Sequence, residues 1–535
     1  MVFRIRLALL GALFVALAGA AIPARAQDLA VRLEPADGAT LTDVVKVAAK
    51  VTGADDDGVE KVEFFVDGQA RATDTSTPYE LEWDTLKDPE GAHTVVAKAT
   101  DAKGRTAEAK ATYTLDNQLT KGAEFHADAA LEAIKGNDIA AAQKAARRAL
   151  QIDPGNLKAA RALAGILRSQ REYGKAIEIL LAATMPPTET AARQELVALR
   201  MLTADAADTL EEFLAAASQA AMEQQRLNEA RIAAAADTPE AKGDAYYLAR
   251  NWNQAARSYQ EAGSADEAPV ATVNRLLLTY IRSRRLKEAD GVLRTLKQTQ
   301  RGDATTRALE GLYLLANHQV VKARETVQTG LEAGGYLATL VAIYAEMAMG
   351  HKPKASEMLA KINEADAGRP EVAMIRAYLV TDVFDLKAAL LACNTLDPSS
   401  PETYVIRAYQ MFLSKEPKPY EKGDALLEMA RKMDPEDRMA KMASAVSFLV
   451  QKRHQEAEPF LAKVRELEPG APDAMVAQAL LFSYQDKTSL ITDLLNKAMK
   501  IDDMRWNDVY VPTAADLLTR IYRYRFQPII TPSAL

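Results

Sequence analysis

Between Asp28 and Asp116 apolar residues recur at a period close to two, in short β-branched runs separated by turn residues. Successive side chains on a strand point to opposite faces, so this alternation predicts half-buried strands. The runs are 29–33, 44–51, 59–66, 69–74, 79–83, 92–100 and 106–115. Asp37-Gly38, Asp57-Gly58, Asp67-Gly68 and Lys103-Gly104 mark turns, because glycine accepts positive φ and aspartate can bond its own backbone. From Leu119 onward the period becomes helical. In 243–262, GDAYYLARNWNQAARSYQEA, the residues Trp252, Ala255, Tyr259 and Ala262 share one helix face, with Gly243 and Tyr246 on the helix before it.

The same steps return along the chain as Ile139/Ala142/Ala146/Ala149, Tyr173/Ala176/Leu180/Ala183, Leu286/Ala289/Leu293/Leu296 and Val320/Ala323/Val327/Gly330, then as Ala355/Leu359/Ile362, Ala457/Leu461/Val464 and Ile491/Leu495/Ala498. Asp153-Pro154, Asp397-Pro398, Asp434-Pro435 and Glu468-Pro469 close second helices, since proline cannot continue one. Small residues where two helices cross, a large one beside them, and a spacing of 34 between Pro435 and Pro469 resemble the tetratricopeptide repeat. That resemblance implies about eleven helix pairs stacked into a right-handed superhelix over 117–503, with 188–236 the most degenerate part and a possible hinge. The insertion Glu416-Pro417-Lys418-Pro419 stretches one repeat. Residues 504–535 read as a cap and tail, in which 512–526 sets Arg520, Arg523 and Arg525 among Tyr522 and Tyr524 and covers the last apolar face.

Pro35-Ala36-Asp37-Gly38, Val62 through Gly68, Thr77-Pro78-Tyr79, Gly91-Ala92-His93-Thr94 and Asp101-Ala102-Lys103-Gly104, in that order, resemble bacterial Ig-like modules. Seven short strands at this spacing fit a β-sandwich. The expected fold is therefore multidomain: an all-β Ig-like sandwich over 28–116, followed by an all-α tetratricopeptide-type superhelical solenoid. Tyr79 and Trp83 share one strand face with Leu81, which favours core packing over stacking on a sugar. Asp55, Asp56 and Asp57, with Asp37 and Asp101, are conceivable oxygen ligands for calcium, but their spacing fits no defined loop and acidic turns explain them.

Residues 1–26 read as a secretory signal: Arg4 and Arg6, an apolar run from Leu7 to Ile22, and Ala24-Arg25-Ala26 before Gln27. The expected protein is exported, periplasmic or extracellular, with no stable membrane insertion after cleavage. Loss of Arg4, Arg6 and Arg25 takes the net charge from −7 to −10, which argues against nucleic-acid binding. Cys393, the single cysteine, lies in the apolar run AALLAC and reads as a buried small hydrophobe, so no disulfide staples either domain. His93, His126, His318, His351 and His454 are scattered without ligand spacing, and no phosphate loop, dinucleotide fingerprint or serine elbow is present. Glu211-Glu212 and Asp502-Asp503 fit solvated helix faces. No catalytic, metal or cofactor-binding residue is expected, and the chain is read as a non-enzyme.

In this repeat class the first helix of each pair lines a concave groove. Residues one and four beyond each crossing residue are Leu278 and Ile281, Leu312 and Leu315, Tyr409 and Phe412, and Val446 and Leu449, whereas early repeats give Gly165/Arg168 and Asp244/Tyr247. A helix apolar on two faces is buried on both. The groove over 270–500 is expected either to hold an apolar or amphipathic segment of a protein or peptide partner, or to be closed by tight winding or by the tail Pro528-Ile529-Ile530. The implied function is an exported protein-interaction scaffold. The alternatives are a surface or carbohydrate adhesin that binds through the sandwich, and an accessory subunit of a secreted hydrolase.

Overall fold

A computed structural model describes residues 28–53, 58–379, 400–414, 418–501, 513–524, 528 and 530–535. The signal-like 1–26, Asp55 to Asp57, Cys393, Asp397-Pro398, Glu416-Pro417, Asp502-Asp503, Arg525 and Ile529 lie outside them, as do the side chains of Tyr522, Arg523 and Tyr524. The chain divides into two compact units, residues 1–162 and 163–535.

In the first unit β1 (Ala30–Glu34), β3 (Val44–Thr52) and β6 (Glu80–Asp84) form one sheet. The other has the order β2 (Thr40–Leu41), β8 (Thr106–Leu115), β7 (Gly91–Asp101), β4 (Val59–Val66) and β5 (Gln69–Asp74). The alternation puts Val62, Phe64 and Val66 of β4 and Val95, Ala97 and Ala99 of β7 inside, against Val47, Leu81 and Trp83 of the other sheet. Strand β2 escapes the sequence pattern because two residues cannot show an alternation; it pairs parallel to β8. Tyr79 and Trp83 are buried, and the Trp83 indole N–H donates to Asp88 at 2.7 Å. They are core residues and present no sugar-stacking surface.

Of the carboxylates considered for calcium, the two described ones, Asp37 and Asp101, are separated. Asp37 accepts from the Thr112 amide, while Asp101 accepts from the Lys103 and Arg105 amides and from Arg105 Nε at 2.7 Å. Thr106 and Thr112 are six residues apart on β8, about 20 Å at strand rise, so Asp37 and Asp101 sit at opposite ends of the sandwich and cannot share an ion.

The same unit includes the helices Ala123–Lys135 and Ile139–Ile152, whose contact is made by Ala127, Ala130, Ala142, Ala146 and Ala149, all fully buried. Alanine lets the two backbones approach closely, as the repeat requires. Two cations of the second helix reach the sandwich: Arg147 to Asp84 at 2.7 Å and Arg148 to Asp43 at 2.6 Å. The buried Asn117 side chain accepts from the Asp43 amide and bonds Thr85, fixing the corner from which the helices start.

The second unit is a tetratricopeptide-type solenoid, and its backbone carries the repeat. The turns inside helix pairs hold a left-handed residue at a spacing of 34: Arg250, Arg284 and His318, then Lys452 and Asp486. Close crossings follow the motif. A Cβ on Gly243 would enter the Tyr259 ring, one on Gly311 would meet Val327, and one on Gly423 would enter the Phe412 ring. The degenerate stretch forms two long helices, Ala191–Asp205 and Leu210–Ala234. Met201, Phe213, Ala217 and Ala220 share a core with Tyr404, Tyr409 and Leu426, and Arg407 meets Asp205 at 2.6 Å. The superhelix therefore touches itself about 200 residues apart. A helix that packs against a later turn as well as its neighbours needs apolar residues on more than one side, which blurs its period.

Candidate functional site

The interior of the second unit is built by two ladders of turn residues. One is the left-handed set Arg250, Arg284 and His318, and the other is Ser400, Asp434 and Glu468, again 34 apart; second helices end at Asp434 and Glu468, and a first helix starts at Ser400. The ladders face each other. Arg250 donates to Glu402 at 2.7 Å and to Ser400 at 3.3 Å, and Arg282, the last residue of the helix Val270–Arg282, donates to the same Glu402 carboxylate. Arg284 donates to Glu468, and His318 Nε2 lies 2.8 Å from the same carboxylate. Arg438 reaches Glu468 at 2.8 Å and also pairs with Asp473.

Burial raises the Glu402 carboxyl, but Arg250 and Arg282 outweigh that and hold it below its ordinary value. Glu468 behaves alike, with Arg438, Arg284 and His318 overcoming its burial. Asp437 is different: burial, with the negative charges of Glu402 and Asp434, pushes it up to about 7 even though its carboxylate caps a helix through the Ala440 amide. An interior with both signs of charge in contact is expensive to desolvate and is held by geometry.

Between the ladders lies a cavity of about 100 Å³, lined by Ile281, Leu312 and Leu315 on its apolar side, by Arg284, Arg438 and Glu468 on its polar side, and by Pro528. Pro528 borders this cavity, Ile530 is buried nearby, and Pro532–Ala534 form a short 3-10 turn. Arg282 donates to the Pro528 carbonyl, the Tyr247 hydroxyl donates to the Ile530 carbonyl at 2.7 Å, and the Thr531 amide donates to Glu371 at 2.9 Å. The Ile530 side chain is 1% exposed and belongs to the same core as Leu277 and Ile406.

The eight apolar residues anticipated along the groove divide. Ile281, Leu312 and Leu315 meet at the cavity. Leu278 lies in the core of the middle repeats, and Tyr409, Phe412, Val446 and Leu449 lie in that of the later ones. Phe412 is clamped between Tyr409, Tyr420 and the bare face of Gly423. Of the eight only Leu315 is partly exposed; the other seven are buried. These faces are covered by the winding of the superhelix, and the cavity by Pro528. Missed from the sequence were Arg250, Arg282, Arg284, Glu402, Arg438 and Glu468. Their signal was charge placed at equivalent turn positions 34 apart, and single charges such as Glu402 inside otherwise apolar helices.

Among the described residues no helix is long and apolar enough to cross a membrane, and no group of three or more histidine, cysteine or acidic side chains is placed to hold a metal ion.

Comparison with known proteins places the bacterial Ig domain family on residues 32–97. No curated protein sequence matches the chain. Among solved structures, one described as the crystal structure of the APC/C hetero-tetramer Cut9-Hcn1 is 11% identical, spans 75% of this chain and 97% of its own, and has a TM-score of 0.40. The fibronectin(III)-like modules of Clostridium thermocellum CbhA are 24% identical over 16% of this chain and 93% of theirs, with a TM-score of 0.15. Both scores are low, and the repeat assignment rests on the turn spacing of 34 and the glycine-to-ring crossings.

Proposed function

We propose that this protein is an exported, non-catalytic scaffold, periplasmic or extracellular, that holds a segment of a partner protein against the inner face of its solenoid. The carrying observation is that Pro528 and Ile530 are bound there through their main-chain carbonyls by Arg282 and Tyr247. An inner face that already holds a stretch of chain by backbone bonds and one buried aliphatic side chain has the recognition elements of a peptide receptor. The charged groups beside it are tied up in ion pairs, as in a structural network and unlike a poised acid–base pair. Export is supported by the signal-like 1–26 and by the bacterial Ig domain. The sandwich serves as a spacer or second contact; burial of Tyr79 and Trp83 removes the aromatic surface an adhesin would have used.

Leu315 offers the cleanest test because it borders the cavity without being fully buried. The wild-type protein and Leu315→Lys are each affinity-purified from the native cell envelope, and bound proteins are identified by mass spectrometry. The expected outcome is loss of a partner recovered by the wild type. A folded variant that retains every partner contradicts the reading.

A further inference from the structure

We infer that Pro528 and residues 530–535 are a displaceable occupant of a defined peptide site, and that the site accepts from a partner a segment carrying an aliphatic residue followed by threonine or serine. This rests on the scaffold reading and specifies its ligand. Four contacts define the register. Arg282 holds the carbonyl two residues before the aliphatic position, and Tyr247 holds the carbonyl of that position itself. Glu371 accepts both the amide and the hydroxyl of Thr531, and Arg369 donates to the Ser533 carbonyl at 3.1 Å. Three of these bonds go to main-chain carbonyls and are blind to side chains; the selectivity lies in the buried Ile530 and the Thr531 hydroxyl.

A second observation points to a ligand. Glu371 is completely buried, and its Oε2 has no hydrogen-bond partner among the described residues. A buried carboxylate oxygen without a donor is costly, so the described residues of the segment fill the site without satisfying it. Beside Ile530 and Thr531 a space of about 50 Å³ remains between Tyr247, Met374 and Pro370. A partner segment with a larger aliphatic side chain, or with a donor that reaches Oε2, gains contacts the resident segment lacks. The resident then acts as a competitor at high local concentration and sets a threshold for partner binding.

The test uses the full chain and a fluorescein-labelled peptide of the sequence PIITPSAL, followed by anisotropy. Ile530→Asp places a charge in the apolar pocket and expels the resident. Peptide affinity is expected to rise at least about tenfold over wild type, since an occupied site lowers apparent affinity by the fraction left open. Thr531→Ala, which keeps Ile530 and loses only the hydroxyl's bonds to Glu371 and Ser533, should give a smaller rise and secures the result if Ile530→Asp does not fold. Adding Tyr247→Phe to the more open variant should weaken the peptide about fivefold, the worth of one hydrogen bond. The inference is overturned if folded variants bind the peptide no better than wild type, or if wild type binds it equally tightly. Loss of a cellular partner in Leu315→Lys with no peptide binding would leave the scaffold reading standing and remove this one.

Discussion

Replacing Glu402 by glutamine should destabilise the solenoid more than any other single change in its polar interior. The Glu402 side chain is 1% exposed and accepts from Arg250, Arg282 and Ser400. Glutamine keeps the volume, but it removes the charge and turns one acceptor into an NH₂ facing two guanidinium groups. Both arginines are then buried with their main counter-charge gone. Breaking a buried pair by removing one partner costs about 3–5 kcal/mol. Asp434 and Asp437 are close enough to recover part of this, because Glu402 is among the charges that raise Asp437 and its loss lets that carboxyl ionise. The expected net cost is therefore about 3 kcal/mol, the lower end of that range. Urea unfolding at pH 7, followed by circular dichroism at 222 nm, measures it. The pH dependence has a definite sign. Glu402 is depressed in the folded state, so its contribution is complete above the ordinary value of 4.5 and fades as the pH falls through the folded one. The difference between wild type and variant should widen from pH 7 to pH 5, as the compensating ionisation of Asp437 fades, and shrink only below. A difference under about 0.5 kcal/mol at pH 7, the size of an exposed pair, would refute the paired interior.

Asp437→Asn should act the other way: a carboxyl raised to about 7 destabilises the fold as pH climbs from about 4 to 7, so the amide, which can still cap the helix, raises the melting temperature at pH 8 and leaves it unchanged at pH 4. Gly243→Ala drives a methyl into the Tyr259 ring and should cost about 1–3 kcal/mol, whereas Gly291→Ala, with open space around it inside a helix, should stabilise by about 0.4–1 kcal/mol; paired urea melts decide. Asn117→Ala in the first unit leaves the buried Asp43 amide without its acceptor and should cost about 1–3 kcal/mol, measured by thermal melting.

The sandwich was legible almost strand by strand, because one buried and one solvated face impose a strict alternation on β3, β4, β7 and β8. The repeat was legible for a similar reason: Gly243 under Tyr259 and Ala142, Ala146 and Ala149 at a helix crossing are demanded within one helix pair. The site was less so. Which face of the helices at 278–281 or 446–449 is covered depends on how the superhelix closes on itself, and that pitch is set by contacts such as Arg407 with Asp205 and Arg284 with Glu468, far apart in sequence. Local periodicity marked these faces as apolar on two sides without saying what covers them. The tail's role is partly visible in the apolar Ile530, but its bonds to Tyr247 and Glu371 are long-range facts.

The central claim is that the inner face near Leu315 meets another protein. A photo-reactive amino acid is placed at Leu315, and a control at Val321, a well-exposed residue in the following helix that does not line the cavity. The full-length protein is irradiated in its native cells, and adducts are identified by mass spectrometry. The account predicts a specific intermolecular adduct from position 315 that position 321 does not give. Adducts from 315 confined to the protein's own segment 528–535, or equal partner yields from both positions, would contradict it.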